Sequence, residues 1–211
     1  MNAFHGGTHY YVVPRTSGAR LNAAFWNYEH YRNRFGASED GFEKFANEFM
    51  DRFRECVKEH DWVGCAHRFE AYGPRYEGVF YHADQLIKSM YATFLEGWLE
   101  MFGRENVLVL RTEDVYSESE KTRKEALLKA VAHLGLETPS EETLTAMDRC
   151  KENEGDFEVV ERSLRLSGEG GEAGIRPSMR EKLDEFFEPQ RVALVAMFGD
   201  DKLRWRRPYN T

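Results

Sequence analysis

The stretch Val107-Leu108-Val109-Leu110-Arg111-Thr112-Glu113-Asp114 decides the reading of the fold. Four apolar residues in a row, bounded by charge on both sides, are too few for a helix and too continuous for a strand with one wet face. They predict a fully buried, parallel strand. Ahead of it, Leu86, Met90, Phe94, Leu95, Trp98 and Met101 recur at helical spacing, predicting one helix from Ala83 to Phe102 with Gly103 as its C-cap. Behind it, Ser117 or Ser119 caps a helix that runs to Leu134 and stops at Gly135. Helix, strand and helix in succession predict an α/β fold.

Working outward, His9-Tyr10-Tyr11-Val12-Val13 is a second β-prone run, ended by Pro14 and the turn residues Thr16-Ser17-Gly18. From Arg20 to Phe35 the pattern is helical, with Leu21, Ala24, Phe25, Tyr28 and Tyr31 on one face and Gly36 at the end. Ser38 precedes another helix whose stripe is Phe42, Phe45, Phe49 and Phe53. Asp61 to Tyr81 reads as a long aromatic loop, and Ser140 to Cys150 as a short acidic helix. Lys151 to Ile175 is polar and Gly-rich, a loop by composition, and Pro177 opens a last helix to Phe198.

The chain has 211 residues, 41% of them hydrophobic and 31% charged, which suits one packed core rather than a disordered segment. Its net charge of −8 argues against bulk attraction to nucleic acid or to an anionic membrane. No apolar run approaches the roughly 20 residues of a membrane helix, and Met1 to Gly7 lack a signal-peptide pattern. The three cysteines, Cys56, Cys65 and Cys150, show no Cys-x-x-Cys spacing, and the seven histidines show no metal spacing or nucleophile partner, so no metal is expected. Composition leaves both reduced thiols and a disulfide open.

Three places in the sequence merit weighing for chemistry. Arg15 ends the first strand just before a helix, where backbone N–H groups, the helix dipole and a guanidinium fork hold an anion well; a solvated turn arginine is the plainer alternative. The Arg111-Thr112-Glu113-Asp114 end of the second strand offers either catalytic carboxylates or a structural ion pair. Lys151, Arg162, Arg165 and Arg176 lie in or beside the Gly-rich loop, as phosphate-closing arginines or as solvated charges.

Four stretches, in order, resemble the carbohydrate sulfotransferases, in particular the enzymes that 6-O-sulfate the 4-sulfated N-acetylgalactosamine of chondroitin sulfate; heparan-type sulfotransferases share the pattern. Arg15-Thr16-Ser17-Gly18-Ala19-Arg20-Leu21-Asn22-Ala23-Ala24-Phe25-Trp26 resembles the family's strand-end Arg followed by Arg-Leu-x-Ser and aromatics. Cys56 and Cys65 resemble a cysteine pair of the same spacing. Met90-Tyr91-Ala92-Thr93-Phe94-Leu95-Glu96-Gly97-Trp98-Leu99 resembles Gly-Leu-Tyr-Ala with its Leu and Trp. The segment from Phe102 to Asp114 and the distant Arg204-Trp205 complete the likeness.

The resemblance implies a P-loop-like α/β sulfotransferase fold, with a partial central parallel sheet flanked by helices and residues 1–211 forming one domain. It implies 3′-phosphoadenosine 5′-phosphosulfate (PAPS) as co-substrate, sulfuryl transfer to a carbohydrate hydroxyl on an acceptor such as a glycosaminoglycan, and a Golgi lumen. Membrane attachment would come only through a segment outside this chain. It carries the 3′-phosphate contacts onto Arg15 and the Ala23 position, where the family has Ser, with Arg162 and Arg165 as further cofactor-binding candidates. It implies a Cys56–Cys65 disulfide. The family's Lys- and Gly/Thr-containing loop for the 5′-phosphosulfate has no counterpart ahead of Arg15, so the chain reads as the C-terminal two-thirds of the domain and no catalytic residue is assigned. A degenerate, non-catalytic member that binds glycan or a partner is the other reading.

Overall fold

The computed structural model describes residues 9–12, 14–67, 84–149 and 175–205. In chain order the elements are β1 (Tyr10–Val12), α1 (Ser17–Asn27), α2 (Glu29–Phe35), α3 (Glu39–Glu59), α4 (Trp62–His67), α5 (Tyr91–Phe102), β2 (Val107–Val109), α6 (Thr112–Val115), α7 (Glu120–His133), α8 (Glu141–Arg149) and α9 (Pro177–Phe198). They fall into two compact units: Met1–Arg15 with Leu95–Val159, and Thr16–Phe94 with Val160–Thr211.

The expected α/β architecture is overturned. The described residues are 76% helical, and the strand pairing among them is one parallel ladder of three residues a side, Tyr10 with Val107, Tyr11 with Leu108 and Val12 with Val109. No central parallel sheet flanked by helices is present among them. The burial of β2 explains the misreading: Val107 is buried, but Leu108 and Val109 are only half-buried, so the apolar run is not covered on both faces. Its hydrophobicity marked a strand correctly and its depth incorrectly. The pairing continues past the ladder, with Leu110 N–H donating to the Val12 carbonyl (2.9 Å) and both Thr112 N–H (2.9 Å) and Oγ1 (3.0 Å) donating to the Pro14 carbonyl. In the same unit Tyr10 packs against Trp98 and Phe102 of α5, with ring centroids 5.6 and 4.2 Å away.

The second unit holds the larger core. The α3 stripe of Phe42, Phe45, Phe49 and Phe53 is buried against Leu21 and Phe25 of α1, Tyr31 of α2, Leu86, Met90, and Met179, Leu183, Phe186 and Phe187 of α9. Ser38 caps α3, its Oγ accepting from Gly41 N–H at 3.1 Å. Gly41 is required there, because a Cβ would sit 1.8 Å from the Gly36 carbonyl oxygen. Buried Gln190 of α9 clasps Thr93, accepting from its N–H at 3.1 Å and donating to its Oγ1 at 2.8 Å.

Two helices expected to be continuous are broken. The helix expected from Arg20 to Phe35 starts at Ser17 and breaks at Tyr28, whose backbone is extended, with Arg32 donating to the freed Trp26 carbonyl. The one expected from Ala83 to Phe102 is a helical turn at 84–87, a turn at 88–89, and then α5. Ser89 causes the second break: its Oγ donates to the Gln85 carbonyl (2.9 Å), while Ser89 and Met90 N–H close three-residue turns onto Leu86 and Ile87. The expected loop from Asp61 contains α4; its remainder, and the Gly-rich stretch up to Gly174, lie outside the described residues.

The Cys56–Cys65 disulfide is formed, tying the end of α3 to α4 across a Cα–Cα distance of 6.0 Å. A ring this small contributes roughly 2–3 kcal/mol by restricting the unfolded chain. Replacing both cysteines by serine is expected to lower the unfolding free energy by about that amount, measured by urea titration without reductant; an unchanged midpoint would contradict it.

Candidate functional site

Helix α1 begins without a side-chain cap from Thr16 and has no acidic residue in its first turn. The first-turn N–H groups and the positive end of the helix dipole therefore meet no carboxylate of that turn. Two side chains of the turn, Ser17 and Arg20, reach across to residues 85–89. Ser17 Oγ donates to the Ser89 carbonyl at 3.1 Å. Arg20 Nη1 donates to the Gln85 carbonyl (3.0 Å), Gln85 Oε1 (3.2 Å) and Ser89 Oγ (3.4 Å). Each of these acceptors is neutral, so the guanidinium charge is not cancelled by them. A helix start with no side-chain cap from Thr16, beside a half-buried arginine bound among the described residues through neutral oxygens, is chemically suited to a phosphate or sulfate monoester.

Behind this turn lies a carboxylate that is answered elsewhere. Asp84 accepts from the Tyr31 hydroxyl (3.1 Å), Gln85 Nε2 (2.9 Å) and Lys88 Nζ (2.8 Å). Burial, then the charge of Asp84 and the hydrogen bond to it, push the Tyr31 hydroxyl well above the ordinary tyrosine range.

The residues singled out in the sequence are placed as follows. Arg15 is half-buried at the end of the first unit, directly ahead of Thr16 in the chain. Ala23 is 7% exposed and presents a methyl group, so the position offers no hydroxyl to a phosphate. Lys151, Arg162 and Arg165 lie outside the described residues. Arg176 is the residue before α9 and pairs with Asp40 (2.5 Å), Glu39 (3.4 Å) and Glu43 (3.4 Å) of α3; the hydrogen bond to Asp40 and the surrounding acids raise its pKa further. It is committed to carboxylates. Arg111 Nε lies 3.8 Å from both Glu113 and Asp114, which favours the ion-pair reading of that strand end.

Sequence reading missed Gln85 and Ser89. The signal was available: two polar residues four apart, beside Leu86 and Met90 on a stripe otherwise apolar. Among the described residues no group of three or more His, Cys, Asp or Glu is placed to hold a metal ion, and no described helix is long and apolar enough to cross a membrane. No family model matches the chain, and neither a curated protein nor a solved structure matches it.

Tyr31 gives the site a pH signature. Because its folded pKa is raised, its contribution to stability is complete below about pH 10 and is lost as the pH rises through the folded value. Tyr31→Phe is expected to remove that alkaline component and to cost about 1 kcal/mol at neutral pH, since Asp84 loses one donor. Denaturant titrations between neutral and alkaline pH measure both; parallel profiles for the two proteins would refute the assignment.

Proposed function

We propose that the chain is a sulfotransferase-type protein that holds the 3′-phosphate of PAPS at the start of α1 and serves sulfuryl transfer to a carbohydrate hydroxyl. One observation carries the reading: the first turn of α1 has no side-chain cap from Thr16 and no acidic residue, and among the described residues its Arg20 is anchored on neutral oxygens. The position of this turn supports it as well, since Arg15-to-Trp26 is the stretch whose pattern resembles the family's 3′-phosphate segment. Arg15, two residues ahead of the helix in the chain, supplies the second cation by that resemblance. The Cys56–Cys65 bridge agrees with the family's cysteine pair and with an oxidising compartment such as the Golgi lumen.

The fit is good for a phosphate monoester and incomplete for the whole nucleotide. Ala23 lacks the hydroxyl that the family places there, which removes one contact, about 0.5–1.5 kcal/mol in a neutral site and more toward a charged phosphate. PAPS when bound supplies the sulfuryl group; Arg20 and the α1 N–H groups hold and orient its phosphate.

Thermal shift with 3′-phosphoadenosine 5′-phosphate tests the proposal. At about 100 times Kd the ligand adds roughly 2.7 kcal/mol, a rise of roughly 5–10 °C for a chain of this size. Arg15→Ala and Arg20→Ala are each expected to reduce the rise, and Ala23→Ser to increase it. No shift in the wild-type chain would sink the reading. A shift without sulfuryl transfer from PAPS to chondroitin sulfate would favour the non-catalytic alternative.

A further inference from the structure

Gln85 and Ser89 are polar side chains in a place that has no general need for them. They are 5% and 0% exposed, beside Leu86, Ile87 and Met90, which are core. Burying an amide and a hydroxyl there costs stability unless each finds partners. Their partners are specific, and they converge on one nitrogen of Arg20.

The bonding directions show why. Ser89 Oγ donates its hydrogen to the Gln85 carbonyl, which leaves its lone pairs toward Arg20. Gln85 Nε2 donates to Asp84, which turns Oε1 toward Arg20. Asp84 in turn is held by Tyr31 and by Lys88, so the nearest link in the chain that carries negative charge is separated from Arg20 by the Gln85 amide. A guanidinium fixed directly by a carboxylate would be neutralised. Among the described residues it is fixed through neutral groups and through Nη1, which leaves the Nε–Nη2 edge for the bidentate contact that a phosphate favours.

We infer that Gln85 and Ser89 are positioning residues: they set the Arg20 guanidinium in place for the 3′-phosphate without cancelling its charge. The inference rests on the functional reading above and names the residues that tune it. Holding the side chain in its binding rotamer lowers the ordering cost of capturing the anion.

Isothermal titration of the wild-type chain, Gln85→Met and Ser89→Ala with 3′-phosphoadenosine 5′-phosphate and with adenosine 5′-phosphate tests it. The ratio of the two affinities isolates the 3′-phosphate, because a loss of folded protein weakens both nucleotides alike. The wild-type chain is expected to prefer the bisphosphate, and each variant to reduce that preference about three- to tenfold. A preference unchanged in both variants, or an equal loss for both nucleotides, overturns the positioning role while leaving the functional reading intact. A wild-type chain that shows no preference overturns both.

Discussion

The larger unit depends on one stripe of four phenylalanines on α3. Phe42, Phe45, Phe49 and Phe53 are no more than 1% exposed, and each fully buried ring contributes about 1.5–3 kcal/mol relative to an exposed one. Among the described residues, α1, α2 and α9 bring their buried faces over them. The break at Tyr28 lets Phe25 and Tyr31, from two separate helices, both lie against Phe45, with centroids 5.4 and 4.7 Å away. Phe186 of α9 reaches Phe53 from the other end, at 5.9 Å. The rings meet mostly edge to face or tilted, the geometry that the ring quadrupoles favour.

That covering has a polar seam. Tyr31 reaches the core with its ring and presents its hydroxyl to Asp84, so the aromatic cluster and the network behind Arg20 share a residue. The seam is continuous through Asp84 and Gln85 to Arg20, and through Ser89 to Ser17. Each member is bonded to the next, which is the condition for polar groups to persist at such depth. An arginine at the start of α1 is thereby tied, through the three side chains of Gln85, Asp84 and Tyr31, to the packing of α3.

Much of this could be read from local pattern, because local pattern sets it. Ser38, Ser119 and Pro177 mark helix starts for reasons confined to one turn, and the phenylalanine stripe names its own buried face. The two short strands and their parallel sense were legible from Val107 to Leu110 and from His9 to Val13. What failed were inferences needing knowledge of distant neighbours. A continuous apolar run says nothing about what lies over it, so a half-buried ladder was read as the middle of a sheet. The hydrogen bonds of Arg20 to Gln85 span 65 positions, and no spacing rule connects them. Ser89 falls inside the helix expected from Ala83 to Phe102, yet its hydroxyl competes with the backbone and breaks that helix. Arg15 stood out by its place at a strand end before a helix and Ala23 by family pattern alone; Arg20 stood out only once its acceptors were seen to be neutral.

The Cys56–Cys65 bridge has a kinetic consequence. Its partners are nine positions apart, and a loop of about ten residues closes in roughly 10–100 ns, far faster than thiol oxidation. The two sulfurs therefore meet many times before any chemistry occurs, whether or not the phenylalanine core has assembled. Oxidation is governed by the oxidant supplied rather than by the progress of folding. Thiol oxidation takes seconds or longer and hydrophobic collapse only microseconds, so the bridge locks an end of α3 whose stripe has already begun to gather its partners.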